Sequence, residues 1–407
     1  MTSINVGVAA RRPRHTSYDV VVVGARAAGA STSMLLARCG YRVLMVDRSS
    51  RGSDTTSTHT LLRTGVLQLG RWGLLDALVA GGTPPVARVT LGFGADLVPI
   101  DLRSEFGVEA LYAPRRTVLD PLLQSAAVGA GVEYMDRTRL LDLTADETGR
   151  TTGVIVDSGS GPVPIRSRYV VGADGVWSKV ARIVGAKSEH NFAANNGIRY
   201  AYYTGIETDG VHFQFTPGVT SGLIPTNENL VCVYLGLPAN VMKDIKGDRD
   251  FRFHLDRSHP HIAASMDNAS RRSPFRGTPG LPGFLRQSWG PGWALVGDSG
   301  YCKDPVSAHG LSAALRDSEL CARAVDRALT DPDEAGDALR GYQETRVRLS
   351  VSMLRLTSEL ADYQWDPVRA SDLMRGISSC VKQECQAIVD LEPWAGVSMR
   401  SFVGIAR

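Results

Sequence analysis

The sequence lacks the features that would place it in several special classes. Its apolar runs are all shorter than the ~20 residues of a transmembrane helix, so we expect no integral membrane contact. Residues 1–17 carry basic clusters without the apolar core of a signal peptide, which predicts a flexible tail on a cytoplasmic protein. The 6 cysteines are scattered without metal-binding spacing, which predicts buried free thiols and no metal site.

A strong net charge is also missing. The 45 basic and 42 acidic residues leave a formal charge of +3, which argues against nucleic acid as the main partner. Apolar residues make up 43% and charged residues 21%, as is typical of a globular protein. A length of 407 residues fits one large domain or two interlocked domains. These properties are compatible with either a monomer or a homodimer.

A strand–turn–helix unit begins at VVVVGARAAG, Val20 to Gly29. The β-branched run predicts a buried strand, and the segments that follow predict a helix and a second strand ending on Asp47. This is the context of the G-x-G-x-x-G dinucleotide fingerprint, with an acid placed for the ribose hydroxyls. Arg26 stands where the middle glycine is expected. Either its side chain points away from the diphosphate path or the turn sits slightly farther back, and the guanidinium could fold over the pyrophosphate, reach towards the flavin or face solvent.

Two further predicted strands end in glycine turns. YVVGADGVWSKVAR places Asp174 and Gly175 after an apolar strand, and WALVGDSGYCKDPVSAHGLSAALRDSE places Gly297 and Asp298 after another. A helix that follows such a turn presents free N–H groups and a positive dipole end, which favour a bound diphosphate. Asp174 has a second interpretation, in which it only braces its turn.

The segment between the second and third turns changes in pattern. Alternation in VHFQFTPG puts Phe213 and Phe215 on one face of a strand and His212 and Gln214 on the other. Similar segments between residues 197 and 238 predict a separate antiparallel sheet. Upstream of these strands, Thr117 is expected to cap a helix, and the chain beyond residue 311 is expected to be mostly helical.

The ordered set of turns resembles the FAD-dependent class A flavoprotein monooxygenases of the para-hydroxybenzoate hydroxylase type, in the superfamily that includes the geranylgeranyl reductases. The resemblance covers roughly residues 18–326. It rests on the first glycine turn with its acid, an arginine in RRTVLD, the DG and GD motifs, and a proline and glycine after the GD motif: Gly24, Gly29, Asp47, Arg116, Asp174, Gly175, Gly297, Asp298, Pro305 and Gly310.

The resemblance implies an α/β fold. A Rossmann-like FAD-binding domain of the GR2 type is expected to interlock with an antiparallel-sheet substrate domain, followed by a helical C-terminal region. The expected boundaries, beyond the tail at 1–17, are 18–86, 105–185 and 285–330 for the FAD-binding domain, 87–104 and 186–284 for the substrate domain, and 331–407 for the C-terminal region.

The resemblance also assigns the cofactor site. The FAD pyrophosphate is expected along Gly24 and Gly29, the adenosine ribose at Asp47 and the ribityl chain at Asp298. The helix after Gly310 is expected to point its N-terminus at the pyrimidine edge of the flavin, where it stabilises negative charge. The complete expected set is Gly24, Ala28, Gly29, Asp47, Arg48, Arg116, Asp174, Gly175, Gly297, Asp298, Pro305, Gly310 and Leu311.

The implied activity is hydroxylation or oxidation of a small aromatic or secondary-metabolite substrate, with O2 and NAD(P)H, through a flavin C4a-hydroperoxide. Four side chains are candidates for catalysis: His59 in the polar loop 49–60, His212 and Gln214 on the strand face expected to roof the flavin, and His309 beside the last glycine. Tyr200 and Tyr202 are further candidates for substrate contact, whereas three C-terminal aromatic residues are expected to pack: Tyr363, Trp365 and Trp394.

Three other functions remain open from the sequence. A flavin-dependent reductase or dehydrogenase acting on a C=C bond, as in the geranylgeranyl reductases, shares both glycine motifs. A flavin-dependent halogenase ranks lower, because the region after the first turn has no W-x-W-x-I-P segment. A binding protein that does not use flavin is disfavoured by the intact Asp298, Pro305 and Gly310.

Overall fold

The computed structural model describes residues 12–394. The strands are β1 (Ser17–Val23), β2 (Val43–Val46), β3 (Pro85–Val86), β4 (Arg88–Phe93), β5 (Asp96–Asp101), β6 (Leu111–Tyr112), β7 (Glu133–Met135), β8 (Arg139–Ala145), β9 (Thr151–Asp157), β10 (Pro162–Gly172), β11 (Ser188–Phe192), β12 (Asn196–Thr204), β13 (Val211–Thr216), β14 (Val219–Thr226), β15 (Leu230–Pro238), β16 (Ser270–Arg271), β17 (Arg276–Thr278), β18 (Gly283–Arg286), β19 (Trp289–Gly290), β20 (Trp293–Leu295) and β21 (Tyr301–Cys302). The helices are α1 (Ala27–Arg38), α2 (Arg63–Arg71), α3 (Leu75–Ala80), α4 (Arg116–Gly129), α5 (Lys179–Ile183), α6 (Ala239–Met242), α7 (Asp248–Ser258), α8 (Pro260–Ser265), α9 (Gly310–Thr330), α10 (Ala335–Ala361) and α11 (Pro367–Val389).

The first large sheet has parallel strands at its centre, in the order β19-β20-β10-β1-β2-β7. β1 pairs in parallel with both β10 and β2, and β10 pairs in parallel with β20. The residues from Val20 to Val22 are fully buried, because helices or other strands cover both faces of a parallel strand. The carboxyl ends of three neighbouring strands therefore open on the same edge of the sheet.

The second large sheet is mainly antiparallel, in the order β16-β12-β15-β14-β13-β4-β5. One face carries residues such as Tyr200 and Phe213, which belong to the main hydrophobic core shared with the first sheet. The other face carries residues such as Ala201 and Leu223, which pack in a separate core with α7 and α8. Both faces of the central strands are buried, so this part of the sheet separates two packed layers.

Three helices complete the described chain. α9 packs on α1, on α2 and on α10, and α10 packs on α11. Tyr363, Trp365 and Trp394 are buried in the main core. The mixed α/β architecture confirms the predicted fold class. Within residues 12–394, no helix combines the length and the apolar composition that a membrane crossing requires.

Two local predictions, a helix cap and the state of the cysteines, have different outcomes in the structure. The prediction that Thr117 caps a helix is wrong, because α4 already begins at Arg116 and Arg115 occupies the cap position. The six cysteines are free thiols, and all except Cys39 are buried. The first eleven residues of the tail predicted at 1–17 lie outside the described residues.

Candidate functional site

Three turns meet where the central parallel strands end. The turn after β1 contacts the DG turn, since a Cβ on Gly24 would lie only 2.2 Å from the carbonyl oxygen of Ala173. The GD turn contacts the start of α1, since a Cβ on Gly297 would lie 2.8 Å from the Cβ of Ala28. Gly24 and Gly297 also have positive φ angles of 105° and 62°. These glycines are therefore required by close packing of the turns and by backbone conformation.

Arg26 points away from the start of α1 and into the neighbouring loop. Its guanidinium donates to the Asp120 carboxylate at 3.0 Å and to the Ser53 carbonyl at 3.1 Å. Arg116 donates to the same carboxylate through two bonds of 2.9 and 3.0 Å. Asp120 is thus a buried anion held between two guanidinium groups. The side chain thus points away from the start of α1, as one of the alternatives from the sequence required, and its guanidinium links α1 to the 49–60 loop and α4.

Asp47 and Gln124 support the backbone of the same turn. The Asp47 carboxylate accepts hydrogen bonds from the Ala25 N–H at 2.8 Å and from the Ser49 N–H at 2.7 Å. Gln124, on α4, donates to the Ala25 carbonyl at 2.9 Å. Each carboxylate oxygen keeps a lone pair for a ribose hydroxyl. Arg48, directly after Asp47, is exposed beside this turn.

The Asp174 carboxylate forms its hydrogen bonds with the start of α5, the helix that follows it. Its carboxylate accepts from the Ser178 hydroxyl and from the N–H groups of Lys179 and Val180, at 2.6 and 3.1 Å for the two N–H groups. This geometry satisfies the free donors at the start of α5. Of the two interpretations of Asp174, the structure shows the bracing one, while a Cβ on the adjacent Gly175 would meet open space.

The GD turn and the start of α9 each carry an exposed residue, Asp298 and Gly310, and we call the surface between these two residues the groove. Asp298 is exposed between the buried Gly297 and Ser299, yet the surrounding protein desolvates it and raises its pKa. Within residues 12–394, no hydrogen bond to its carboxylate contributes to that pKa. Gly310 is exposed at the first position of α9, and a Cβ there would meet no atom within 4 Å.

The groove residues fit the cofactor that the motifs imply. The half-buried Pro305 and Leu311 flank the exposed Gly310, so the N-terminus of α9 opens onto the groove between apolar groups. A free carboxylate at Asp298 suits the hydroxyls of a ribityl chain, and free N–H groups at a helix N-terminus suit an electron-rich edge. The donor set and the open space are therefore compatible with FAD.

A histidine and two tyrosines meet between the loop 49–60 and β12. His59 has a positive φ of 66° and is 1% exposed, and its imidazole Nε2 is hydrogen-bonded to the Tyr202 hydroxyl. The rings of His59 and Tyr202 stack at 5.4 Å. The Ser57 N–H donates to the Tyr200 hydroxyl at 2.9 Å. The 49–60 loop is thus fastened to the sheet face that belongs to the main core.

The surroundings of His59 and Tyr202 favour the neutral form of both side chains. Burial, and secondarily the positive charges of Arg116, Arg115 and Arg276, lower the pKa of His59 to about 3. Burial also raises the pKa of Tyr202 far above its usual range, although the guanidinium of Arg115 lies 4.8 Å from its ring centroid. The Nδ1 atom of His59 is buried, and no group within residues 12–394 hydrogen-bonds to it. The imidazole is therefore neutral, and its Nδ1 atom is a buried hydrogen-bonding group without a protein partner among the described residues.

The structure places His212 and Gln214 on the sheet face that turns away from the first sheet, so it does not support the prediction that they roof the flavin. These residues lie on the face of β13 opposite to Phe213 and Phe215, which belong to the core shared with the first sheet. His212 bonds to Asp209 at 2.8 Å, and its ring lies 5.7 Å from that of His261 on α8. The alternating pattern identified the two faces, but it could not show that α7 and α8 cover the polar one.

His309 lies just before the first residue of α9 and is fully buried. Its Nε2 atom is 2.9 Å from a carboxylate oxygen of Glu384 on α11. Burial lowers the pKa of His309. The side chain faces the helical region rather than the groove. It therefore connects the start of α9 to α11.

A buried network of charges, which the sequence did not reveal, continues from this contact. Arg316 pairs with Glu384 and Asp317, both at 2.6 Å, and Arg346 pairs with Asp317 at 2.7 Å. All four side chains have 0% exposure. Arg346 also donates to the Gly297 carbonyl at 2.9 Å. The network therefore links the GD turn and the start of α9 to α10 and α11.

The only hint of this network in the sequence was charge within an otherwise apolar helix. Arg316 and Asp317 interrupt the segment AALRDSELCARAV of α9, but such residues usually mark a solvent-facing stripe. Within the part of the chain that the structure describes, no cluster of three or more metal-binding side chains is present.

Comparisons with known proteins agree with this geometry. A family model described as "FAD binding domain" matches residues 17–357. The chain is 27% identical to 6-methylpretetramide 4-monooxygenase of Streptomyces rimosus over 315 residues, 74% of this chain and 73% of that protein. It is 26% identical to menaquinone reductase of Mycolicibacterium smegmatis over 327 residues, 76% of each. The structure of P. aeruginosa PqsL aligns with a TM-score of 0.77 and 22% identity, over 88% of this chain and 100% of that one.

Proposed function

The chain belongs to the FAD-binding domain family and is an FAD-dependent oxidoreductase, and we propose that it is an NAD(P)H-using monooxygenase of a small aromatic or secondary-metabolite substrate. The observation that carries this proposal is the His59–Tyr202 pair on the core face of the second sheet, whose buried Nδ1 atom has no hydrogen-bond partner among the described residues. A neutral hydrogen-bonding group in an aromatic wall suits a substrate that is both aromatic and polar.

The residues proposed to hold FAD follow the groove. The backbone from Gly24 to Gly29 would bind the pyrophosphate, Asp47 the adenosine ribose, and Asp298 the ribityl chain, while the N-terminus of α9 would stabilise negative charge on the reduced flavin. When bound and reduced, FAD supplies the activation of O2 and the transfer of one oxygen atom to the substrate. Side chains of this chain bind and position the substrate.

Those side chains orient the substrate, exclude water and form one hydrogen bond with it. The aromatic face of the second sheet excludes water, with Tyr200 and Phe213 among its members. His59 stays neutral at physiological pH because its pKa lies at about 3. We assign its Nδ1 atom to a hydrogen bond with a hydroxyl or carbonyl of the substrate, and Tyr202 to fixing the tautomer through Nε2.

The first experiment is the visible spectrum of the purified protein with added FAD. A flavin spectrum that is retained after gel filtration supports the proposal, and protein that cannot take up FAD contradicts it. NADH and NADPH consumption is then followed in air with and without a panel of small phenols and polyketides. The expected result is faster consumption with a substrate, together with a product that carries one oxygen atom from 18O2.

His59→Gln and Asp298→Ala separate the two halves of the site. His59→Gln keeps a neutral hydrogen-bonding side chain and should bind FAD normally while raising KM for substrate. Asp298→Ala should weaken FAD binding because the only acidic group exposed on the GD turn is removed. A matched control is Asp337→Ala, whose carboxylate is 77% exposed on α10 and pairs only with Arg340 among the described residues.

A reductase acting on a C=C bond is the second candidate. The similarity to menaquinone reductase covers 76% of both proteins, and the aromatic sheet face could also hold an apolar isoprenoid. The two functions differ in their need for oxygen. Equal rates of NAD(P)H consumption in air and under nitrogen, with saturation of a substrate double bond, would favour the reductase.

A further inference from the structure

Lys303 is a buried lysine in the segment between the GD turn and α9. The residue is 7% exposed, although no carboxylate within residues 12–394 lies within 4.0 Å of its ammonium group. Its Nζ atom lies 4.3 Å from the centroid of the Tyr301 ring, which provides a cation–π contact. Burial of an ammonium group without an ion-pair partner is unfavourable, so such a group is a candidate for binding a negative charge.

The charges around Lys303 are already assigned to each other. Arg316 and Arg346 balance Asp317 and Glu384 through contacts of 2.6 to 2.7 Å. Lys303 is therefore an additional positive charge at the edge of a balanced network. Burial raises the pKa of Asp298, and the charge of Lys303 is the foremost of the positive charges that oppose this rise. Asp298 is also the residue that is exposed at the groove.

Lys303 is also flanked along the chain by the two groups that open onto the groove. Asp298 precedes it by five residues, and Gly310 follows it by seven. We propose that the Lys303 ammonium stabilises the negatively charged, reduced form of bound FAD relative to the oxidised form. The inference rests on the proposed function, because it requires FAD in this groove. Reduction of oxidised flavin by two electrons and one proton gives a reduced flavin with one negative charge, and a nearby cation favours this product.

The direct test compares the affinities of reduced and oxidised FAD, or the two-electron potential against a reference dye during dithionite reduction. Lys303→Met is expected to shift the ratio of the two affinities at least tenfold toward oxidised FAD, which is about 30 mV in a two-electron couple. Lys303→Arg keeps the charge and should recover most of the shift. Lys246→Met, on the surface, is the matched control and should change nothing.

A second test uses the wild-type protein alone. The pKa of Lys303 is lowered to about 8, chiefly by burial. The charged groups that face it are Asp298, Arg316, Asp317 and Glu384, with His309 next to Glu384. The pKa values of Glu384 and His309 are lowered, so neither takes up a proton between pH 8 and 10. In that range, formation of the reduced anion should draw a proton onto Lys303, so reduction should take up two protons per two electrons.

The outcomes separate the two proposals. Protein that cannot bind FAD overturns the proposed function. If Lys303→Met binds FAD with an affinity ratio within threefold of wild type, the role of Lys303 is overturned while the proposed function stands. If Lys303→Met does not fold, the wild-type proton count decides: two protons above pH 8 support the inference, and one proton throughout overturns it.

Discussion

Replacement of Arg26 by glycine removes a side chain from the cofactor turn and restores the glycine that the dinucleotide fingerprint usually has. The backbone at this position is extended, with φ at −87° and ψ at −166°, and glycine at a helix cap is well tolerated. The substitution therefore reports on the guanidinium. Its partners are Asp120, Ser53 and the Asp54 carbonyl, at 3.0 to 3.4 Å.

The size of the effect follows from burial. A hydrogen bond to a charged group contributes about 1.5–3 kcal/mol, but the Arg26 side chain is 28% exposed, which reduces its share. Asp120 keeps both hydrogen bonds from Arg116, so no buried carboxylate is left alone. We expect the free energy of unfolding to fall by about 1–2 kcal/mol. FAD should remain bound, with a Kd weakened by less than about tenfold, because the guanidinium supports the turn without pointing along it.

The assay is urea unfolding of the FAD-free protein, together with titration of FAD followed by its fluorescence. Asp120→Ala is the informative comparison, because it leaves two guanidinium groups without their shared partner and should be more destabilising, by about 3–5 kcal/mol. A folded Arg26→Gly protein that has lost all affinity for FAD would refute the reasoning. The side chain itself would then be a principal cofactor ligand.

Three further predictions concern stability and cofactor binding. Arg346→Met should lower the free energy of unfolding by about 3–5 kcal/mol, because Asp317 loses a buried partner, whereas Arg340→Met on the surface should change it by less than about 0.5 kcal/mol; equal urea midpoints would contradict this. His59 has a pKa of about 3 when folded and about 6.5 when unfolded, so the unfolded chain binds more protons between these values and stability should fall as pH drops from 6.5 toward 3. His59→Gln should flatten this part of the stability profile, and an unchanged slope would argue against a neutral buried imidazole. Gly310→Ala should leave the melting temperature of the FAD-free protein unchanged or raised, because the new Cβ meets only open space, but it should weaken FAD binding; full FAD affinity would place the cofactor elsewhere.

The sequence was sufficient where the fold depends on neighbouring residues. The βαβ unit around Gly24 could be predicted because its strand, turn and helix signals lie within about 30 residues. The same holds for the turns at Asp174 and Asp298, each of which follows an apolar run. The resulting α/β fold class and the FAD-binding family were therefore accessible from local patterns in the right order.

Contacts between elements that are distant in sequence could not be predicted from local patterns. The pattern of β13 separated His212 from Phe213, but the choice of face depended on α7 and α8, which are distant in sequence. The partners of Arg316 and Arg346 also come from other helices, so their charges resembled a solvent-exposed stripe. The division into domains and the roles of the individual site residues stay predictions.

The buried network also limits how this protein can be divided or recombined. The family match ends at residue 357, yet Glu384 lies beyond it and holds both His309 and Arg316 at the start of α9. A chimera that joined residues 17–357 to C-terminal helices without a carboxylate at the position of Glu384 would leave Arg316 with one of its two carboxylates missing. The cofactor module of this protein therefore includes α11, and recombination or transplantation should keep that helix with the nucleotide-binding core.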